Sequence, residues 1–288
     1  MRILLTGASG FLGEYLISEG IKRGLNVVCA GRKRVEKADW EYLDLSQEKE
    51  TRKLINKIKP NWIIHAGAVS SIEQCEKNNE YAIKVNAVST KVLSQEASSL
   101  GCKFMFVSTD MVFDGKNPPY YPEAKKCPVS QYGYTKALGE DYTSKGEGDW
   151  YIARLALLYG RSWDGKKGAS DWLISSNRDK REVVLFKDEF RSPVWVKEVS
   201  YALYEILEKA PSRSIWHIGG PKRLSRFDFG ILVAKICDLD RKLIKPGYLK
   251  DYPKSTLRPP DLTLVSEKTE KITGFTFKPP ENALEEIY

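Results

Sequence analysis

The chain has 288 residues, 42% of them hydrophobic and 29% charged, which allows one large domain or two closely joined ones and excludes disordered and fibrous classes. Its net charge of +8 comes from 46 basic and 38 acidic residues spread along the chain; without an aromatic-interleaved basic stripe, phosphate-bearing small molecules are the expected partners and nucleic acid is not. No run approaches the roughly 18 apolar residues of a membrane span, and a glycine motif from Gly7 leaves no room for a signal peptide, so a cytoplasmic protein without membrane association is expected.

The predicted elements begin with Ile3-Leu4-Leu5, a buried strand, followed by a helix carrying Leu12, Leu16, Ile17 and Ile21 on one face. Asn26 to Ala30 is the second strand. A charged helix runs from about Gln47 to Ile58 and stops before Pro60, and Trp62-Ile63-Ile64 is the next strand. A helix from about Glu80 to Leu100, a strand Phe104 to Val107, a Pro-rich loop, a helix around Tyr132 to Tyr142 and a strand Tyr151 to Leu158 complete the series. Beyond Gly160 the rhythm breaks. Residues 161–182 are charged and Gly/Ser-containing, Val183 to Phe186 and Trp216 to Ile218 read as strands, and a helix at about Phe227 to Cys237 lies among Pro-rich loops. The alternation predicts an α/β, Rossmann-like, doubly wound parallel sheet over 1–160, with about 183–220 returning to it. Segments 161–182 and 221–288 form a smaller, partly interleaved C-terminal substrate lobe.

Five cysteines, Cys29, Cys75, Cys102, Cys127 and Cys237, form no CxxC pair, and the chain holds only two histidines. Neither a metal site nor disulfides are expected. His65, at a strand end, reads as a loop-ordering residue, and His217 as packing.

Thr6-Gly7-Ala8-Ser9-Gly10-Phe11-Leu12-Gly13 joins the first strand to the first helix. Gly7 permits the tight turn, Gly10 lets backbone approach a pyrophosphate, and Gly13 allows close packing of helix on strand. The helix N-terminus then faces the phosphates. This GxxGxxG spacing resembles the extended branch of the short-chain dehydrogenase/reductases. At the end of the second strand, Gly31-Arg32-Lys33-Arg34 offers three cations and no carboxylate before Glu36. Arginine there accommodates a 2′-phosphate, so NADPH is the preferred cofactor and NADH the alternative. By the resemblance, Asp44 contacts the adenine amino group, and Leu45, Ala66 and Ala68 join Ser9, Phe11 and Leu12 in the cofactor site.

Tyr132 and Lys136 stand four apart on a predicted helix, so phenol and ammonium share one face. The ammonium eases formation of the phenolate, whose unperturbed pKa is near 10, and can hold the nicotinamide ribose. Ser108 and Thr109 close the Phe104–Val107 strand, at the edge where open α/β sheets bind ligands. The run Ser108-Thr109-Asp110-Met111-Val112-Phe113-Asp114-Gly115 is similar to the dTDP-4-dehydrorhamnose reductases. That resemblance also covers Val85-Asn86-Ala87, Tyr151 to Gly160, Arg191-Ser192-Pro193 before Trp195, and Arg258-Pro259. It implies a catalytic triad of Thr109, Tyr132 and Lys136. It places Ser108, Asp110, Met111, Asn86, Arg191, Trp195, Arg258 and Lys254 with the nucleotide-sugar substrate. Met111 stands where that family has tyrosine. The resemblance thus implies reduction of a 4-keto-6-deoxy sugar nucleotide, with a homodimer as a further expectation. An epimerase or dehydratase with bound NAD is one alternative. The other is a regulatory subunit resembling that of methionine adenosyltransferase, which shares the VFDG and Arg-Pro features.

Overall fold

The computed structural model describes residues 1–251 and 258–288. Strand β1 (Arg2–Thr6), helix α1 (Phe11–Lys22) and strand β2 (Asn26–Gly31) open the fold, followed by β3 (Asp39–Tyr42), α2 (Glu48–Ile58) and β4 (Trp62–His65). Next come α3 (Ile72–Lys77), α4 (Asn79–Ile83), a π-helical turn (Lys84–Val88), α5 (Ser89–Ser99), β5 (Lys103–Thr109) and α6 (Gln131–Ser144). Strand β6 (Trp150–Leu155) ends the first half, and β7 (Leu158–Tyr159), α7 (Ala169–Arg178), β8 (Val183–Phe186), β9 (Phe190–Arg191) and β10 (Val194–Trp195) follow. The remainder is α8 (Val196–Lys209), β11 (Ser214–Ile218), β12 (Leu224–Ser225), α9 (Arg226–Ile236), β13 (Ile244–Gly247), α10 (Glu267–Thr273) and α11 (Pro280–Ile287).

Seven parallel strands form the main sheet in the order β11-β6-β5-β4-β1-β2-β3. Chain direction across the sheet reverses between β1 and β4, and at such a switch the loops diverge and leave a crevice at the carboxyl ends. The inner strands are apolar on both faces, since helices cover both, and Ile3, Leu4, Leu5, Ile63 and Ile64 are wholly buried.

Several expectations require correction. Ile21 is 52% exposed and leaves the buried stripe of α1 to Leu12, Leu16 and Ile17. The helix read over Glu80–Leu100 runs without a gap from Asn79 to Ser99, opened by the Asn78 side-chain cap, but it carries a π-helical turn at Lys84–Val88 that inserts an extra residue. The strand read to Leu158 stops at Leu155, and β7 pairs instead with β10. Val183–Phe186 does not rejoin the sheet. As β8 it pairs with β13, so the chain comes back to the sheet only with α8 and β11. Strand β3 escaped the pattern because Asp-Trp-Glu-Tyr at a half-exposed sheet edge has no apolar run.

Candidate active site

Two adjoining clefts lie at the switch point. One, of about 360 Å³, is lined by Gly7, Ser9, Gly10, Phe11, Leu12, Gly13, Ala66, Ala68, Ser108, Thr109, Tyr132 and Lys136. A side groove running over the end of β2 is lined by Arg32, Lys33, Asp44, Leu45, Ala68 and Tyr81. The second cleft, of about 940 Å³, lies between the sheet and the smaller lobe, and Phe11, Thr109 and Tyr132 line both clefts. Every residue read as cofactor-binding therefore lines one continuous crevice.

The glycine loop is held by sterics. Gly7 has φ +76°, and a Cβ there would stand 2.5 Å from the Ala66 carbonyl carbon, while a Cβ on Gly13 would meet the Gly7 oxygen at 2.4 Å. Gly10 caps α1 with extended backbone, leaving the first-turn N–H groups directed at the crevice. Beneath the loop His65 is fully buried. Thr90 donates its hydroxyl to the Asn86 carbonyl (2.7 Å) and so accepts from His65 Nε2 (3.1 Å). His65 Nδ1 then accepts from the Thr6 hydroxyl (2.6 Å), which accepts in turn from Gly67 N–H (3.3 Å). Burial, and then the charge of Lys136, hold this imidazole well below its usual pKa. His65 is a neutral tie between the two loops.

Tyr132 and Thr109 both line the crevice, and the Thr109 hydroxyl donates to Asp110 Oδ1 at 3.1 Å and accepts from Met111 N–H at 3.2 Å. Burial, then the Asp110 charge, push the phenol above its ordinary value. Lys136 is 2% exposed with Nζ 4.0 Å from the centre of the Phe106 ring. Burial lowers its pKa to about 7 against the opposing charge of Glu140. The phenol is thus firmly protonated at neutral pH and the ammonium is poised to titrate.

In the larger cleft, Asp110 Oδ2 is buried without a hydrogen-bond partner among the described residues and faces Arg191 Nε at 3.7 Å. Burial raises this carboxyl to about 6, with Arg191 opposing. Arg191 also pairs with Glu189 at 2.9 Å, and Arg258 approaches Glu189 at 3.7 Å and Glu73 at 3.4 Å. Met111, Asp110, Arg191 and Arg258 all line this cleft. Glu189, Arg226 and an aromatic wall of Trp172, Phe186 and Tyr248 line it too and were not read, for they carry no motif.

Three other substrate candidates are placed differently. Asn86 lines neither cleft: its amide clamps Val69 backbone (2.7 and 3.0 Å) and donates to Thr135 at 3.0 Å. Trp195 is buried beneath Gly160 and also lines neither. Ser108 reaches the crevice, yet its hydroxyl is donated away from it, to Glu140. Lys254 lies outside the described residues. No group of three or more potential metal ligands occurs among the described residues, and no helix there is long and apolar enough to cross a membrane.

The chain is 29% identical over 277 residues to methionine adenosyltransferase 2 subunit beta of Xenopus tropicalis, covering 94% of this chain and 82% of that one. It superposes on a dTDP-4-dehydrorhamnose reductase of Bacillus anthracis in complex with NADP, with TM-score 0.86, 22% identity and 99% and 98% of the two chains covered. A hypothetical dTDP-4-dehydrorhamnose reductase of Sulfolobus tokodaii gives TM-score 0.83 and 28% identity, with 94% of each chain covered. The RmlD substrate binding domain matches from residue 1 to residue 288, and the chain belongs to that family.

Proposed function

We propose that this protein is an NADPH-dependent reductase acting on the C4 ketone of a 4-keto-6-deoxy sugar nucleotide, as a dTDP-4-dehydrorhamnose reductase does. One observation carries the reading: Thr109 and Tyr132 line both clefts, with Lys136 one helical turn on. A ketone held there would touch both hydroxyls while facing the crevice of the glycine loop. NADPH, when bound, supplies the hydride for C4. Tyr132 gives its proton to the developing alkoxide, Thr109 hydrogen-bonds the same oxygen, and the Lys136 ammonium stabilises the phenolate left behind. A phenol pushed above its ordinary pKa suits a donor that must hold its proton until the oxyanion forms.

NADPH rather than NADH is supported by Arg32 and Lys33 on the groove rim, where a 2′-phosphate would lie. Arg32 is already oriented, donating to the Tyr81 hydroxyl at 2.9 Å. Arg191 and Arg258, with Asp110 and Met111 nearer Tyr132, are assigned to the substrate. We assign the sheet with α8 and β11 to the cofactor, and the lobe containing α7, β8, α9 and β13 to the nucleotide sugar.

The test is a panel of 4-keto sugar nucleotides with NADPH, followed by loss of NADPH absorbance. Turnover of at least one, dependent on Tyr132, is expected. The identity to the adenosyltransferase subunit supports a second reading, a non-catalytic NADP-binding subunit. NADPH binding without turnover of any member of the panel would favour it.

A further inference from the structure

The segment that leads from the sheet into the substrate lobe is fastened to the glycine loop by a charge pair between a buried carboxylate and a half-buried lysine. Glu14, in the first turn of α1, is 1% exposed. One of its carboxylate oxygens accepts from Trp163 N–H at 2.7 Å, and the other is paired with Lys167. Lys167 Nζ also donates to the Ser9 carbonyl at 3.2 Å. The same segment is tied down at its start, where Tyr15 donates to the Arg161 carbonyl at 2.6 Å. At its end, Gly168 lies against Phe11 so closely that a Cβ would meet the ring at 2.5 Å. Inside it, Ser162 accepts from the Lys166 and Lys167 N–H groups and donates to Asp171 of α7. The segment from Arg161 to Gly168 is therefore a strap across the N-terminal end of α1.

That end is where an anion has to bind, and it carries two opposing negative features, the Glu14 carboxylate and the Ser9 carbonyl. Repulsion between a buried carboxylate and a pyrophosphate a turn away is weakly screened in a low-dielectric crevice. Lys167 contacts both features at once. We propose that Lys167 is a positioning residue for the cofactor pyrophosphate: it cancels Glu14 and Ser9 so that α1 keeps a positive end, and joins the phosphate site to the wall of the substrate cleft. This rests on the assignment of the glycine loop to a dinucleotide. Lys167 lines neither cleft, so its effect runs through Glu14 and the loop. Gly168 and Trp172, next along the chain, line the larger cleft, so a cofactor that steadies the strap also steadies the substrate's surroundings.

The experiment measures binding without turnover. NADP⁺ and 2′-AMP, which lacks the pyrophosphate, are titrated by calorimetry against wild type, Lys167→Met, Glu14→Gln and the double variant. Lys167→Met should weaken NADP⁺ by about 10-fold or more and leave 2′-AMP within about twofold, the size of a partly exposed charge effect. Glu14→Gln should bind NADP⁺ at least as well as wild type, and Glu14→Gln/Lys167→Met should recover most of the loss. Lys167→Arg, which keeps the charge, should bind like wild type, and melting curves establish that each variant is folded. Unchanged NADP⁺ affinity in folded Lys167→Met, equal loss for both ligands, or no recovery in the double variant would overturn the proposal. Failure of wild type to bind any dinucleotide would instead remove the cofactor assignment beneath it.

Discussion

Ser108 and Glu140 are joined by a 2.6 Å hydrogen bond in which the serine donates, and this turns the residue beside Thr109 into a support. Glu140 is also gripped by Arg154, with Nε at 2.9 Å and Nη2 at 2.8 Å, both side chains nearly inaccessible. Arg154 continues to His217 Nε2 and to the Pro122 carbonyl. His217 Nδ1 lies 3.1 Å from the Tyr120 carbonyl and so carries the ring's proton. Burial, then the Arg154 charge, keep this imidazole neutral, lowered to about 3. The network binds α6, β5, β6 and β11 behind the crevice.

Removing Arg154 would leave the buried Glu140 carboxylate with only the longer Lys126 contact, at 3.5 Å, as an ion pair. Arg154→Met is expected to lose roughly 3–5 kcal/mol in urea unfolding, whereas Ser108→Ala should cost about 1 kcal/mol. Equal and small effects would mean that the pair is solvated in the native state.

Tyr132→Phe removes the proposed proton donor and keeps the ring. A fall in kcat of roughly 10²–10⁴-fold is expected, with NADPH affinity near wild type in a fluorescence titration. Retention of most activity would take Tyr132 out of the mechanism.

Gly10→Val tests the phosphate loop with little damage to the fold. A Cβ at Gly10 meets only the Gly7 oxygen, at 3.1 Å, in a backbone conformation open to any residue. The branched side chain would nonetheless stand where a pyrophosphate must approach. NADPH binding should vanish while the melting temperature stays within a few degrees of wild type. A folded variant with intact affinity would refute the placement.

Arg32→Ala removes the cation expected to meet the 2′-phosphate. A charge-assisted contact of roughly 1.5–3 kcal/mol corresponds to about 10- to 150-fold in NADPH affinity, with NADH within about twofold. Tyr81→Phe, which frees the guanidinium, should give a smaller loss with the same selectivity. Equal weakening of both cofactors would make Arg32 a solvated turn residue.

The protein free of cofactor should show the Lys136 titration in its stability. The folded value is about 7, and an unfolded lysine titrates near 10.4. Between those values the unfolded chain holds a proton that the folded chain has released, so stability rises with pH. Below about pH 7 both states are protonated and the cost of burying the charge is felt in full. Relative to Lys136→Met, the wild-type melting temperature should therefore climb as pH is raised from about 7 to about 10. A constant difference between the two would show that Lys136 is solvated.

Much of this was legible because phosphate binding and the Tyr–Lys pair depend on residues close in sequence. The Gly7–Gly13 turn and the i, i+4 spacing of Tyr132 and Lys136 are local geometry, and both lie where the pattern put them. Other assignments depend on where a side chain points. Asn86 is turned towards Val69 by one π-helical turn, which hydrophobic periodicity does not register. Trp195 follows the Arg191 segment and yet packs under Gly160. Glu189 and Arg226 enter the larger cleft through contacts between distant segments, and as isolated charges they carry no local signal of that.

Strand β11 has a consequence for the order in which the molecule is built. It pairs with β6 from Ser214↔Tyr151 to Ile218↔Leu155, and everything from β7 to α8 is made between them. While a ribosome is still producing that stretch, β6 is an open edge with apolar Tyr151, Ala153 and Leu155 beside unpaired backbone. The nascent sheet cannot be finished until much of the other lobe has emerged. A fragment ending near residue 160 would thus expose an edge suited to pairing with another chain, and the two lobes are best regarded as maturing together.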